Sequence, residues 1–427
     1  MKVEPAPRCL RMAIVYGRMP LPMTRADQSM VAHIIAYFTA RGHQVDLFAL
    51  DTGEPMSERQ QQWLRSHCRK MDVVRQSTLA AALGSLRALA SGKPLQVGWF
   101  TNRSQIARVR RAIASEHYDV VYTYYIRSGE AVRGVARAGS APQAGLPVTY
   151  LAMQLSQSLN TRRIAERATR LRDRLIYTVE KRLVRRYEAA IWKEFRRTVL
   201  ISLKDVDEIK AACREAGSSE IDNYVLCAHG VDIARFRPRP ELEEAATLVF
   251  SGVMATNTNI QAVQWFVRNC WPAVKKQVPQ ARLMIVGRAP ATEVQALATA
   301  GSDIVVTGEV ADPADYIARA TICINPMQAG AGMQNKLIEF FASGKAVVAT
   351  AIANEGIGAE AGVQFVGADA PDAFADAVVA LLRDPERRAE LGAAARSYIE
   401  RQWTWEKLFA ELEDDMLSQT SSRVGPT

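Results

Sequence analysis

The chain has 427 residues, enough for two or three domains with substantial cores. Hydrophobic residues make up 48% and charged residues 23%, which excludes intrinsic disorder and a fibrous repeat. The net charge of +9 is concentrated between Thr161 and Arg197, where thirteen Lys/Arg face five Asp/Glu, so the rest of the chain is close to neutral.

In chain order, 12–16 is a short apolar run followed by Gly17 and a turn at Pro20 and Pro22, which predicts a strand. A helical pattern over 26–40, Gly42-His43 and a strand over 44–50 complete a right-handed β-α-β opening. Strands are predicted over 71–75, 118–124 and 147–151, with helices over 78–90, 104–117 and 128–138. Ile164, Ala168, Leu171, Leu175, Val179, Leu183, Tyr187, Ile191 and Phe195 then step by three or four residues, one apolar stripe on an arginine-rich helix. That stripe suits either packing on the first domain's sheet or docking on an anionic membrane surface through 161–197. A strand over 198–202, a helix over 204–215 and a strand over 223–227 close this half.

Phe236-Arg-Pro238-Arg-Pro240, followed by Glu241, Glu243 and Glu244, reads as the linker between domains. Beyond it, strands over 247–251, 282–286, 304–307, 321–324 and 346–350 alternate with helices over 260–277, 292–300, 314–320 and 333–342. Two helices over 371–382 and 386–400 follow, then one from 405 to about 417 and a polar tail over 418–427 expected to be disordered. The alternation predicts an α/β protein with two doubly wound parallel sheets. The expected division is 1–238, 239–402, and a C-terminal helix and tail over 403–427.

The most informative stretch runs from Asn325 to Glu339. A buried strand ends at Asn325-Pro326, a loop with Gly330, Ala331 and Gly332 follows, and a helix is predicted from Met333. Such a turn aims backbone N–H groups and the positive end of a helix at an anion. Lys336 and Glu339 lie in its first turn, a cation suited to phosphate and a carboxylate suited to ribose hydroxyls. A plain tight turn with a solvated Lys and Glu would use the same residues. Gly287-Arg288 ends another strand at the edge where open α/β sheets bind ligands. No G-x-G-x-x-G, P-loop or G-x-S-x-G sequence is present, which removes the main support for dinucleotide, P-loop and hydrolase chemistry. Six scattered cysteines without a C-x-x-C pair, and five histidines without metal-ligand spacing, lead us to expect no disulfide framework, metal or cofactor. The charged, proline-bearing N-terminus lacks a signal-peptide core, and no run approaches the roughly 20 apolar residues of a spanning helix. A cytoplasmic protein is expected, held on the inner face of the membrane if the basic segment docks there.

Two such halves joined by a proline linker resemble the GT-B glycosyltransferases, most closely the retaining family 4 group, over nearly the whole chain. The resemblance is carried by Phe250-Ser-Gly-Val-Met254 with Asn259, Leu283-Met-Ile-Val-Gly287, Val306-Thr-Gly308-Glu-Val310-Ala-Asp312, Gln334-Asn-Lys336-Leu-Ile-Glu339 and Gly344-Lys-Ala-Val-Val-Ala-Thr350. Arg41-Gly-His43-Gln-Val45 and His229-Gly-Val-Asp232, with Phe236 and Pro238, resemble further landmarks upstream. The Gln-Asn-Lys-x-x-Glu form is similar to sugar transferases of exosortase (PEP-CTERM) and exopolysaccharide systems.

The resemblance implies two Rossmann-like domains facing across a cleft, the first binding an acceptor and the second a nucleotide-diphosphate sugar. It implies donor binding by Arg288, Gly330, Ala331, Gly332, Met333, Gln334, Asn335, Lys336 and Glu339, with no side-chain nucleophile and no metal. Transfer would proceed with retention to a saccharide or lipid-linked acceptor in exopolysaccharide or other glycan synthesis, with no nucleic-acid partner. A nucleotide-sugar epimerase or hydrolase, and a non-catalytic nucleotide-sugar-binding protein, are the other classes left open. Three departures stand out. The family's first Glu of a Glu-x7-Glu pair falls on Ala331, and its Arg and Lys after the Gly252 strand are replaced by Asn257 and Asn259. A histidine after the fourth strand is replaced by Tyr122-Thr-Tyr-Tyr-Ile-Arg127. His43 and His229 are expected to be structural.

Overall fold

In the computed structural model, residues 8–23, 25–135, 145–167, 171–299, 301–329 and 333–421 are described, and the chain divides into two compact units, 1–228 with 408–427 and 229–407.

The first unit is built on seven strands: β1 (Arg11–Tyr16), β2 (Gln44–Asp51), β3 (Lys70–Arg75), β4 (Val120–Tyr124), β5 (Val148–Gln154), β6 (Arg197–Leu200) and β7 (Tyr224–Leu226). They pair in parallel in the order β3-β2-β1-β4-β5-β6-β7. The central strands are buried along their whole length, as parallel strands with helices on both faces must be. The chain runs outward from β1 through β2 to β3 and then returns to the other side of β1 as β4, which makes the β1/β4 boundary the topological switch point.

The basic stripe has one settled end. Tyr187, Ile191 and Phe195 join the core of this unit with Val15, Val121 and Leu151, whereas Ile176 and Val179 on the helix Leu171–Ile191 stay 39% and 47% exposed. Stripe positions from 164 to 175 lie outside the described side chains. The helix Trp405–Ser421 locks onto the same unit through Glu413, which accepts from Tyr37 Oη at 2.8 Å, Arg41 Nε at 2.6 Å and His43 Nε2 at 2.8 Å. His43 Nδ1 accepts from the Leu10 N–H at 2.9 Å, so its proton sits on Nε2 and the ring acts as a structural clamp.

The second unit has six strands: β8 (Thr247–Ser251), β9 (Arg282–Val286), β10 (Ile304–Gly308), β11 (Ile322–Asn325), β12 (Val347–Ala349) and β13 (Val366–Gly367). Their order is β10-β9-β8-β11-β12-β13, again all parallel. Phe250, Phe266, Ile285, Ile324, Phe340 and Phe341 fill its core.

The division falls elsewhere than at the proline linker. Residues 229–240 belong to the second unit, where Arg396 Nη1 donates to the carbonyls of Ile233 (3.2 Å) and Phe236 (2.8 Å) and Pro238 packs on Gly344. The final helix belongs mostly to the first unit, for the reasons just given, and it continues to Ser421 past the predicted end near 417. The helix predicted over 260–277 is two, Asn257–Asn269 and Trp271–Gln277, because Pro272 cannot donate to the ladder and serves instead near the start of the second. In place of a helix from 128 a 3₁₀ turn, Ile126–Ala131, follows β4, entered through Tyr125 at φ 73°, outside helical space. Residues 136–144 lie outside the described set. Helices Glu58–His67 and Leu95–Phe100 were not predicted, although Ser57 and Gln60 form a capping box ahead of the first.

Burial works to raise the Glu413 pKa, and the bonds from Arg41, His43 and Tyr37 more than offset it, holding the group below its ordinary value. A carboxylate depressed in the fold stabilises above its unfolded pKa and loses that contribution as pH falls through the folded one. Glu413→Gln should therefore lower unfolding free energy by about 1–3 kcal/mol at pH 7. Denaturant titrations should show this gap start to shrink as pH falls through the ordinary carboxylate pKa of about 4.3 and close only at the lower pH where Glu413 protonates in the fold.

Candidate functional site

At the carboxyl edge of the second sheet, β8 and β9 end in glycines that touch. The Gly252 N–H donates to the Val286 carbonyl at 3.0 Å, and a Cβ on Gly287 would lie 1.7 Å from the Gly252 oxygen, so only bare backbone passes. Arg288 follows directly, half-buried, its carbonyl accepting from the Met254 N–H at 3.0 Å. Beside them on β11, Asn325 is fully buried with both amide atoms unpartnered among the described residues, and the buried Ser251 Oγ is likewise unpartnered. Buried polar groups without partners are uncommon in folded chains and concentrate where something else must bind.

The helix Asn335–Ala342 starts at this edge, with Gln334 as its N-cap residue, so Met333 and Gln334 precede it. Lys336 turns inward and is 8% exposed. Its Nζ donates to Asn259 Oδ1 at 2.6 Å, lies 3.8 Å from Met327 Sδ and sits 4.1 Å from the centre of the Phe250 ring. Asn259 Nδ2 in turn donates to the Val253 carbonyl at 3.0 Å, which fixes the amide with its oxygen toward the lysine. No carboxylate lies within ion-pair distance of Lys336 among the described residues. Burial pushes its pKa down to about 7, opposed by Glu339. Glu339, one turn on, is pushed up to about 7 by burial, with Arg235 and Lys336 opposing and Asp312 reinforcing the shift. Arg235 is itself held by Asp312, its Nη2 donating at 2.9 Å.

The structure thus brings Lys336, Glu339, Gly252 and Gly287-Arg288 to one sheet edge, with Asn335 opening the helix. Gly330, Ala331 and Gly332 lie outside the described residues. Arg235, Ser251 and Asn325 are not among the donor-binding residues expected from the sequence, and Asn259 enters there beside the Phe250–Met254 motif and as a departure, without a role in the site. Asn259 turns out to be the partner of the central cation, a link across 77 positions that no local spacing reveals. His229 stands 6.1 Å from the Trp405 ring, edge to face.

Two family profiles match the chain: "Glycosyl transferase 4-like domain" over residues 28–208 and "Glycosyl transferases group 1" over residues 245–384. The chain belongs to the GT-B glycosyltransferases. Over 413 residues this glycosyltransferase is 22% identical to an uncharacterized 44.6 kDa protein in the cps region of Klebsiella pneumoniae, covering 94% of this chain and 98% of that one. Over 219 residues it is 30% identical to the GDP-mannose-dependent alpha-(1-6)-phosphatidylinositol monomannoside mannosyltransferase of Mycobacterium tuberculosis, covering 45% of this chain and 56% of that protein. Among solved structures, HepE of Anabaena in complex with UDP and glucose matches with a TM-score of 0.62 at 13% identity, over 96% of this chain and 100% of that one. Sucrose-phosphate synthase of Thermosynechococcus elongatus matches with a TM-score of 0.65 at 18% identity, over 98% and 100%. The glycosyltransferase uses a nucleotide-sugar donor, and the second profile spans Gly252, Arg288, Lys336 and Glu339.

A lysine whose folded pKa is depressed penalises the fold fully below that pKa, and the penalty fades as pH rises toward the unfolded value. Between pH 7 and 9 the wild type should therefore gain stability relative to Lys336→Met, by roughly 1 kcal/mol per pH unit. Parallel denaturation at three pH values checks this, and equal slopes would place Lys336 in water.

Proposed function

We propose that the second unit binds the diphosphate of the donor through Lys336, Arg288 and the backbone of 330–335, and its ribose through Glu339. The first unit then holds a saccharide or lipid-linked acceptor, and transfer proceeds with retention and without a metal, in exopolysaccharide or other glycan synthesis. One observation carries this reading: an ammonium buried at the sheet edge, solvated only by Asn259, Met327 and a ring, with no anion of its own among the described residues. A diphosphate there would supply the missing charge in a low-dielectric setting where it counts most, and would stabilise the leaving group as its charge develops. Support for the donor class comes from the GDP-mannose dependence named for the mycobacterial relative and the UDP named in the HepE complex. Retention, the exosortase-type affiliation and the role of 330–332 rest on the sequence resemblance.

Titration calorimetry with UDP and GDP at pH 6.5 tests the donor site. Lys336→Met should weaken binding of the preferred nucleotide by about 1.5–3 kcal/mol, as should Glu339→Gln to a lesser degree. Unchanged affinity in both variants would remove the site. Transfer should also survive EDTA, and full loss restored by magnesium or manganese would show a metal-bridged diphosphate.

We further propose peripheral contact with an anionic membrane. No helix among the described residues is long and apolar enough to cross one. The support is exposed surface on the first unit: Ile176 and Val179 beside exposed Arg182 and Arg186, and Leu79, Leu83 and Leu86 along the helix Thr78–Ala90. Arg185 is engaged with Glu215 at 2.5 Å and contributes less. At about 1 kcal/mol per basic residue near anionic lipid, changing Arg182 and Arg186 together to Glu should weaken binding to phosphatidylglycerol vesicles at least tenfold at low salt. Equal co-sedimentation of both proteins would remove this contact.

A further inference from the structure

The ends of β1 and β4 flank the switch point of the first sheet, and each carries an arginine into the turn beyond it. Gly17-Arg18 leaves β1; Tyr125-Ile126-Arg127-Ser128 leaves β4. The two strands are paired through Tyr16 and Tyr124, so these turns are neighbours. Both guanidiniums rest on one ring: Arg18 Cζ and Arg127 Cζ are each 4.9 Å from the Phe100 centroid, and Arg127 is also 4.4 Å from that of Tyr125. Like charges gathered on a shared ring repel, and the effect registers on Arg18. Its pKa is lowered by burial first, then by Arg25, with Asp27 opposing and Arg127 adding to the fall.

The carboxylates nearby do not balance these cations. Arg18 has Glu54 at 3.5 Å and Asp27 at 3.9 Å, and Asp27 is shared with Arg25 at 3.3 Å. Arg127 has no carboxylate within ion-pair distance among the described residues. Next to it the Ser128 side chain is 4% exposed, and its Oγ has no hydrogen-bond partner among the described residues. That hydroxyl faces the backbone of Gly17, where a Cβ would stand 3.3 Å from Oγ and 3.2 Å from Phe100 Cδ1. Tyr125 is held at φ 73°, a conformation that disfavours a side chain and that the turn nevertheless keeps while presenting Arg127. Two guanidiniums already fixed on rings, with an unsatisfied hydroxyl beside them at a switch point, form a preorganised oxyanion receptor.

We propose that Arg18, Arg127 and Ser128 form a subsite in the first unit for a phosphate group carried by the acceptor. This rests on the reading that the first unit holds the acceptor, and it narrows the acceptor to one bearing a phosphomonoester or phosphodiester. The guanidiniums would take the phosphate oxygens as charge-assisted donors, Ser128 would add a third, and Phe100 would hold the Arg18 and Arg127 rotamers in the empty state.

The test is calorimetric titration of the whole chain with inorganic phosphate at low ionic strength, in a Lys336→Met, Arg288→Gln background. That background removes both donor-side cations, so phosphate binding reports on the first unit whether or not the donor site proves correct. Arg127→Gln and Arg18→Gln should each weaken phosphate roughly tenfold or more, the usual effect of losing a hydrogen bond between charged groups. Arg25→Gln, which removes a nearby charge that the proposal does not place on the phosphate, should change it less than either, and matched melting curves should show all three folded. A second arm titrates UDP and GDP into Arg127→Gln with Lys336 intact, where affinity should equal that of wild type. Equal phosphate affinity in the parent and both arginine variants would reduce the cluster to aromatic packing and overturn the subsite. Nucleotide affinity that falls with Arg127→Gln as far as phosphate does would assign the guanidinium to the donor and overturn it equally.

Discussion

A single ammonium group sets the terms for the second unit. Lys336 is drawn inward from the first turn of its helix and solvated by one amide oxygen, one thioether and one aromatic face. A charge buried on so few dipoles is costly unless an anion accompanies it. Gly252 and Gly287 let the ends of β8 and β9 close up without side chains, Asn259 is fixed by the Val253 carbonyl, and Phe250 supplies the ring from inside β8. The strand order puts all of this at the carboxyl edge of a parallel sheet, where helix N-termini and free backbone N–H groups also collect. On the proposed reading the empty form gives up stability that donor binding restores, the usual relation between preorganised charge and function.

Much of the fold was legible because parallel strands buried on both faces write themselves as short apolar runs, and the helices between them carry a clear period. Met12 to Tyr16, Thr247 to Ser251 and Arg282 to Val286 needed no tertiary information. What failed was local punctuation. Pro272 was read through as helix interior although its missing N–H splits the element, and Ser57 with Gln60 went unused as a start signal. The unit boundary was misplaced for a different reason. Prolines mark a stiff segment but do not say which body it packs on, and the bonds from Arg396 to the 233 and 236 carbonyls tie that segment to the second unit from 160 residues away.

The candidate site divides along the same line. Lys336, Glu339 and Arg288 stood out because charge beside glycine at a strand end has a local signature. Asn259, Asn325 and Ser251 did not, since a buried amide or hydroxyl is identified by what surrounds it, and that is set by strand order. The arginines at 18 and 127 were equally invisible: they lie more than a hundred residues apart and meet only because β1 and β4 are neighbours. The basic helix shows the reverse error of scale. Its stripe is continuous in sequence, yet the fold uses its end for the core and leaves Ile176 and Val179 at the surface.

The central claim is that Lys336 waits largely unprotonated above neutral pH and is recharged by the donor's diphosphate. Titration of UDP and GDP at pH 8, in two buffers of different ionisation enthalpy, measures the protons exchanged on binding. A lysine held near pKa 7 when empty and raised by an adjacent diphosphate must take up protons at that pH, so net uptake in the wild type and none in Lys336→Met is the expected result. Binding without proton uptake in the wild type, or equal uptake in both proteins, would contradict it.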